Sequence, residues 1–228
     1  MASGLLSVSH VVDILGHLMY ISVIAWLNIL AYANKKSPNK LVGIKEILLD
    51  HFEKYGRSFF SRYDYEEVSS EGANKLVAAL GKHIDDGSLV DKKFEASTGE
   101  SFTVSKTFNF NYTDPVDKSV SKNQGQIVQF ADGSRVVFRL SGTGSQGATV
   151  RLYVEKYTND KKQYGMDTAE GLKGLIEVAL KISDLTKFLE REKPTVITVR
   201  FSFAHSRSAA GAHTSTLVNV HAVIASAS

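Results

Sequence analysis

The chain contains no cysteine in 228 residues, so it has neither a disulfide framework nor thiolate chemistry, as suits a reducing compartment. Strong charge of either sign is also missing: 27 basic against 24 acidic residues leave +3, too little to argue for nucleic acid. Residues 5 to 33 lack Lys and Arg and carry a single acid, Asp13. The run Ile14 to Tyr32 has the length of a membrane helix. Asp13, His17, Ser22 and Asn28, with no basic segment ahead of them, argue against insertion. A buried helix accounts for the latter half of the run equally well. Residues 199 to 228 have no acid and no Lys and are dominated by alanine, serine and the spaced histidines His205, His213 and His221. Eight-residue spacing does not gather histidines on one helical turn, so this end reads as a flexible tail and not as a metal site.

The middle of the chain is patterned as ordinary globular protein. Leu41, Ile44, Leu48 and Phe52 recur at helical spacing and Gly56 is a natural stop. Residues 56 to 68 form an aromatic-rich extended piece. Ala73, Leu76, Val77 and Leu80 predict a second helix ending near Gly81 or a turn later, and Asp85-Asp86-Gly87 a turn. Alternation from Phe102 to Tyr112 predicts one or two strands, closed by Asp114-Pro115. Thr158 to Gly165 is a polar connection. Asp167 with Glu170 resembles a capping box, and Leu172, Leu175, Ile176, Ala179, Leu180 and Leu185 predict an amphipathic helix to about Glu192, stopped by Pro194. Helices and paired strands in this order predict an α+β fold, a sheet with helices packed on one face.

Residues 126 to 153 are the most informative stretch. Two alternating runs bracket glycines and hydroxyls from Ser141 to Gly147, with Arg139 and Arg151 at the ends. Backbone N–H groups in a glycine-rich turn form an anion-binding concavity. Ser141 and Thr143 add hydroxyl donors, and guanidinium forks grip phosphate oxygens in pairs. Gly142, Gly144 and Gly147 spell G-x-G-x-x-G, but Val150, Leu152 and Val154 alternate behind it, so a strand follows and not the helix that a dinucleotide site requires. No Gly-Lys-Ser/Thr closes the loop as in a Walker A motif. A tight hairpin whose glycines serve turn geometry alone is the competing reading; it leaves both arginines unexplained.

Phe59-Phe60-Ser61-Arg62-Tyr63-Asp64-Tyr65-Glu66-Glu67-Val68, Glu71 to Lys75, Asp114 to Asp117, Ser121 to Gly125 and Arg139 to Arg151 together resemble phosphoglucomutases of the α-D-phosphohexomutase family. Pro194 to Thr198 resembles the family's C-terminal end, and Ala25 to Ala31 the helix that closes its third domain. The resemblance implies a C-terminal phosphohexomutase-type domain, mainly antiparallel sheet. It also implies a metabolic enzyme that interconverts glucose 1-phosphate and glucose 6-phosphate in the cytoplasm, using a phosphoserine, magnesium and glucose 1,6-bisphosphate. Carried over by position, Arg139, Ser141, Gly142, Thr143 and Arg151 would hold the substrate phosphate that is not reacting. The implied divisions are a non-family segment 1–22, a third-domain remnant 23–56, the phosphate-binding domain 57–198 and a non-family tail 199–228.

The departures are as specific. The family's Thr-Ala-Ser-His-Asn-Pro serine motif and Asp-Gly-Asp-x-Asp metal loop do not occur, and Gly99-Glu100-Ser101-Phe102, which imitates its sugar loop, stands on the wrong side of Arg-Tyr-Asp-Tyr and reads as a hairpin turn. Lys118 replaces the usual glycine after Asp-Pro-Val-Asp. The chain is therefore expected to be a truncated form with no catalytic residue, metal ligand or cofactor of its own, binding phosphosugars and associating with itself through the apolar N-terminal helix. The alternative is an interaction or regulatory module using the same fold, held at a membrane by residues 14–32.

Overall fold

The computed structural model describes residues 8–36, 40–144 and 147–200. They fall into two compact units divided between Lys54 and Tyr55. The first unit holds α1 (Val8–Lys35) and all of α2 (Ile44–Tyr55) but its last residue. The start of α2 differs from the apolar spacing: Leu41 lies outside it and is 89% exposed. Backbone capping decides the boundary. The Gly43 N–H donates to the Glu46 carboxylate at 3.0 Å, and the Val42 N–H to Asn34 Oδ1 at 2.9 Å. Leu48 and Phe52 are the buried positions of α2.

The second unit is a seven-stranded antiparallel sheet: β1 (Arg57–Val68), β2 (Lys93–Glu95), β3 (Ser101–Thr113), β4 (Val120–Phe130), β5 (Arg135–Gly144), β6 (Gly147–Thr158) and β7 (Val196–Arg200). Their spatial order is β2-β3-β4-β5-β6-β1-β7. Three helices, α3 (Ser70–Asp85), α4 (Thr168–Ser183) and α5 (Leu185–Leu189), complete it. Period-two alternation turns Phe59, Val136, Phe138, Val150, Leu152 and Val154 into the core that Leu76, Leu80, Leu172, Leu175 and Val178 fill from α3 and α4. Each such side chain contributes roughly 1.5–3 kcal/mol on burial. The helices thus cover one face, as expected.

Two glycines let α4 lie close to the sheet. A Cβ on Gly171 would sit 2.8 Å from the Phe59 ring, and one on Gly174 would meet Glu100, Thr98 and Ala96 in the β2–β3 turn. That turn, reached by Gly99 at φ +83°, is the hairpin that Gly99-Glu100 predicted. It is tied to α4 by Glu177, which accepts from the Ser97 N–H (2.8 Å) and hydroxyl (2.6 Å) and pairs with Lys181 at 2.7 Å. Lys181 first, and then the Ser97 donors, hold the Glu177 carboxyl down at about 2.

Three elements differ from the sequence reading. The helix expected to reach Glu192 breaks at Asp184, whose backbone is left-handed (φ 48°), and resumes as α5. The apolar spacing hides this break because Leu185 stays buried across it. β4 begins at the exposed Val120 and runs through the polar Ser121 to Gln124, ahead of its apolar part at Ile127 and Val128. β7 pairs with β1 through Asp64↔Val196 to Phe60↔Arg200, and the helical region before it ends at Leu189, with Glu190 left-handed (φ 52°), ahead of Pro194. Residues 1–7 and 201–228 lie outside the described residues, and with them His205, His213 and His221.

Candidate anion-binding site

Strand pairing, and not a loop, governs the glycine-rich stretch. β5 and β6 stay in register from Arg135↔Glu155 to Ser141↔Thr149 and pair again at Thr143↔Ala148 and Gly144↔Gly147. The loop expected from Ser141 to Gly147 is thus shorter, and residues 145 and 146 lie outside the described ones. Gly142 is the extra residue of a β-bulge, at φ +69°. It moves Thr143 from the register of Gly147 to that of Ala148. Gly147, at φ +97°, closes the hairpin where a Cβ would come 3.0 Å from the Val68 carbonyl. β1 carries its own irregularity there, between Tyr65 and Val68, with Glu67 at φ 54°. The base of the hairpin is therefore fitted against the end of β1.

The register makes Arg139 and Arg151 direct cross-strand partners. Both stand on the face away from the helices, because their neighbours Phe138, Val150 and Leu152 are in the core. Like charges directly opposite one another are destabilising, and an anion between them reverses the sign of the interaction. Arg139 is exposed, with one long contact from Nη2 to Gln124 Oε1 at 3.4 Å. Ser141, half-buried, follows on the same face, two residues nearer the turn.

β1 adds two residues that the sequence reading did not assign to the site. Asp64 pairs with Arg151 in the ladder, and its side chain is 4% exposed. Its Oδ2 lies 2.9 Å from Arg62 Nη2, and its Oδ1 3.9 Å from Arg151 Nε. Arg62 and Arg151 are each one-third exposed, and Arg62 Nη2 also donates weakly to Thr198 Oγ1 of β7 at 3.5 Å. Three arginines and one buried carboxylate thus meet across β5, β6 and β1. The signal was present in Arg62-Tyr63-Asp64: alternation puts positions 62 and 64 on the face opposite Phe59 and Tyr63. What period two cannot say is that this Asp is opposite Arg151.

Farther along the same face lies a depression of about 260 Å³ lined by Phe60, Phe110, Ile127, Val137 and Tyr153, with the Arg135–Glu155 ion pair (2.6 Å) at its side. Its apolar walls offer no convergent polar groups for a phosphate; the arginine cluster does.

Residues 57–195 match the family described as phosphoglucomutase-1, C-terminal domain. The chloroplastic phosphoglucomutase of Solanum tuberosum is 50% identical over 179 residues, which are 78% of this chain and 27% of the relative. Human phosphoglucomutase-1 is 51% identical over 177 residues, 78% of this chain and 30% of the relative. Among solved structures, the exocytosis-sensitive phosphoprotein pp63/parafusin of Paramecium, described as a phosphoglucomutase in its open form, superposes with a TM-score of 0.64 at 43% identity, over 77% of this chain and 28% of that one. The chain spans less than a third of the length of these relatives.

Proposed function

Since the chain belongs to the phosphoglucomutase-1 C-terminal-domain family, we propose that its β5–β6 hairpin binds the phosphate of glucose 1-phosphate or glucose 6-phosphate in the cytoplasm, with Arg139, Ser141, Gly142, Thr143 and Arg151 as the grip. The observation that carries this reading is the direct pairing of Arg139 with Arg151, two like charges that a bound anion would bridge. The forks supply charge-assisted donors in parallel pairs, and the bulge leaves Gly142 without a partner in the ladder. No group in this grip makes or breaks a P–O bond. Phosphoryl transfer needs a positioned nucleophile and neutralisation of charge, and the serine and metal-loop motifs are missing from the sequence. Among the described residues no three of His, Cys, Asp or Glu come together as a group able to hold a metal ion.

Titrating the full chain with glucose 1-phosphate while following backbone amide shifts tests the reading. Shifts should cluster at residues 139 to 151 with millimolar affinity, and the chain alone should show no turnover to glucose 6-phosphate. Shifts confined to other strands would return the hairpin to a purely structural role, and turnover that survives removal of contaminating enzyme would overturn the division of labour.

A specific observation favours a second property. On α1 Tyr20, Ile21, Val23, Ile24, Leu27 and Tyr32 are all more than half exposed. No helix among the described residues is long and apolar enough to cross a membrane. An apolar surface of this kind promotes association. Sedimentation of the full chain should therefore show concentration-dependent self-association that disappears when residues 1–33 are deleted. A monomer at every concentration would refute it.

A further inference from the structure

We infer that Asp64 is the positioning residue of the anion site: it takes the Nε edge of Arg151 and leaves that arginine's terminal fork to the phosphate. The inference rests on the reading of Arg139 and Arg151 as a phosphate grip and goes beyond it by assigning the group that aims one of them.

The geometry is unbalanced in an informative way. Asp64 Oδ2 is engaged by Arg62 at 2.9 Å, whereas Oδ1 is buried and makes no hydrogen bond. Arg151 Nε is likewise buried and makes none, and the two unpaired atoms face each other at 3.9 Å, too far for a hydrogen bond and too near for indifference. A buried carboxylate with one empty lone-pair side beside a buried N–H donor gains from any movement that closes the gap. Such a movement is a rotation of the Arg151 side chain about its stem. Sharing Asp64 with Arg62 fixes the carboxylate from the other side, so the closing falls to Arg151. Its Nη atoms, at the other end of the planar guanidinium from Nε, would then hold a fixed orientation next to Arg139 in the ladder. A guanidinium bound side-on to carboxylate and end-on to phosphate uses its five donors without competition.

Electrostatics alone predicts the opposite consequence, which makes the assignment testable. Asp64→Asn removes a negative charge beside Arg151, so a purely electrostatic role would tighten the binding of glucose 1-phosphate. Positioning predicts weaker binding, by about tenfold, the scale on which outer partners hold a binding group. The parent chain is titrated in parallel, and Arg151→Ala with it. No binding by the parent would defeat the phosphate reading itself. Binding by the parent that is lost in Arg151→Ala but unchanged or tightened in Asp64→Asn would overturn this inference alone. A second measurement needs no variant: in the parent chain, the Arg151 Nε–H resonance should shift and exchange more slowly with water as glucose 1-phosphate saturates the site. An Nε–H signal unmoved at saturation would also overturn the inference, even if Asp64→Asn failed to fold.

Discussion

Arg57→Ala is expected to lower the stability of the sheet unit by about 4–6 kcal/mol. Arg57 is 1% exposed, at the first position of β1. Its Nη1 donates to the Tyr164 and Met166 carbonyls, both at 2.7 Å, and its Nη2 to Thr168 Oγ1 at 3.2 Å. These partners form the segment that leads into α4, so one guanidinium stitches the start of the sheet to the start of a helix. The plane also stacks on Phe59, 4.1 Å from the ring centroid. Burial brings the Arg57 pKa down to about 10, with Asp167 opposing, so the group stays charged at neutral pH. Alanine would strand buried carbonyls, each costing about 1–3 kcal/mol, and open a cavity beside Phe59. Most domains have only about 5–15 kcal/mol to lose. Lysine would keep the charge but not the fork and should recover less than half of the loss. Urea unfolding followed by circular dichroism checks this; an alanine variant within about 1 kcal/mol of the parent would show that the buried fork is replaceable.

Arg57 also shows where sequence reading stops. The extended character of residues 56–68 was legible from their aromatic content, and the glycine hairpin from its own composition. Alternation says which face a residue takes, but register says whom it meets, and register is set by turns and bulges that are invisible to period two. The bulge at Gly142 and the irregularity before Val68 decide that Thr143 sits opposite Ala148 and that the hairpin closes against Glu67 and Val68. Arg139 and Arg151 could be named from their motif, yet their pairing with each other, and that of Arg151 with Asp64, follow from strand order β5-β6-β1, which brings residues far apart in the chain together. The helix break at Asp184 was hidden for a different reason. A left-handed aspartate costs little when its neighbours Ser183 and Leu185 stay buried on either side, so the apolar rhythm continues through it.

Arg139→Ala and Arg151→Ala are each expected to make glucose 1-phosphate binding undetectable by titration. Millimolar affinity amounts to about 4 kcal/mol in all. Hydrogen bonds to a charged group contribute roughly 1.5–3 kcal/mol each, so removing either guanidinium leaves an affinity of tens of millimolar or weaker. Ser141→Ala takes away one neutral donor, worth about 0.5–1.5 kcal/mol, and should weaken binding no more than about tenfold. The fold should survive all three. Arg139 is exposed, with a single weak contact to Gln124, and its loss relieves the like-charge pairing with Arg151. Arg151→Ala leaves Asp64 its closer partner, Arg62 at 2.9 Å. Salt supplies the internal control, because a grip made of exposed and half-exposed charges is screened over about 8–10 Å at 0.1–0.15 M ionic strength. Parent binding should fall as sodium chloride rises, and so should binding by Ser141→Ala, which keeps both arginines. Variants that bind as tightly as the parent, or parent affinity indifferent to salt, would mean that the two arginines face each other across β5 and β6 for a reason other than phosphate.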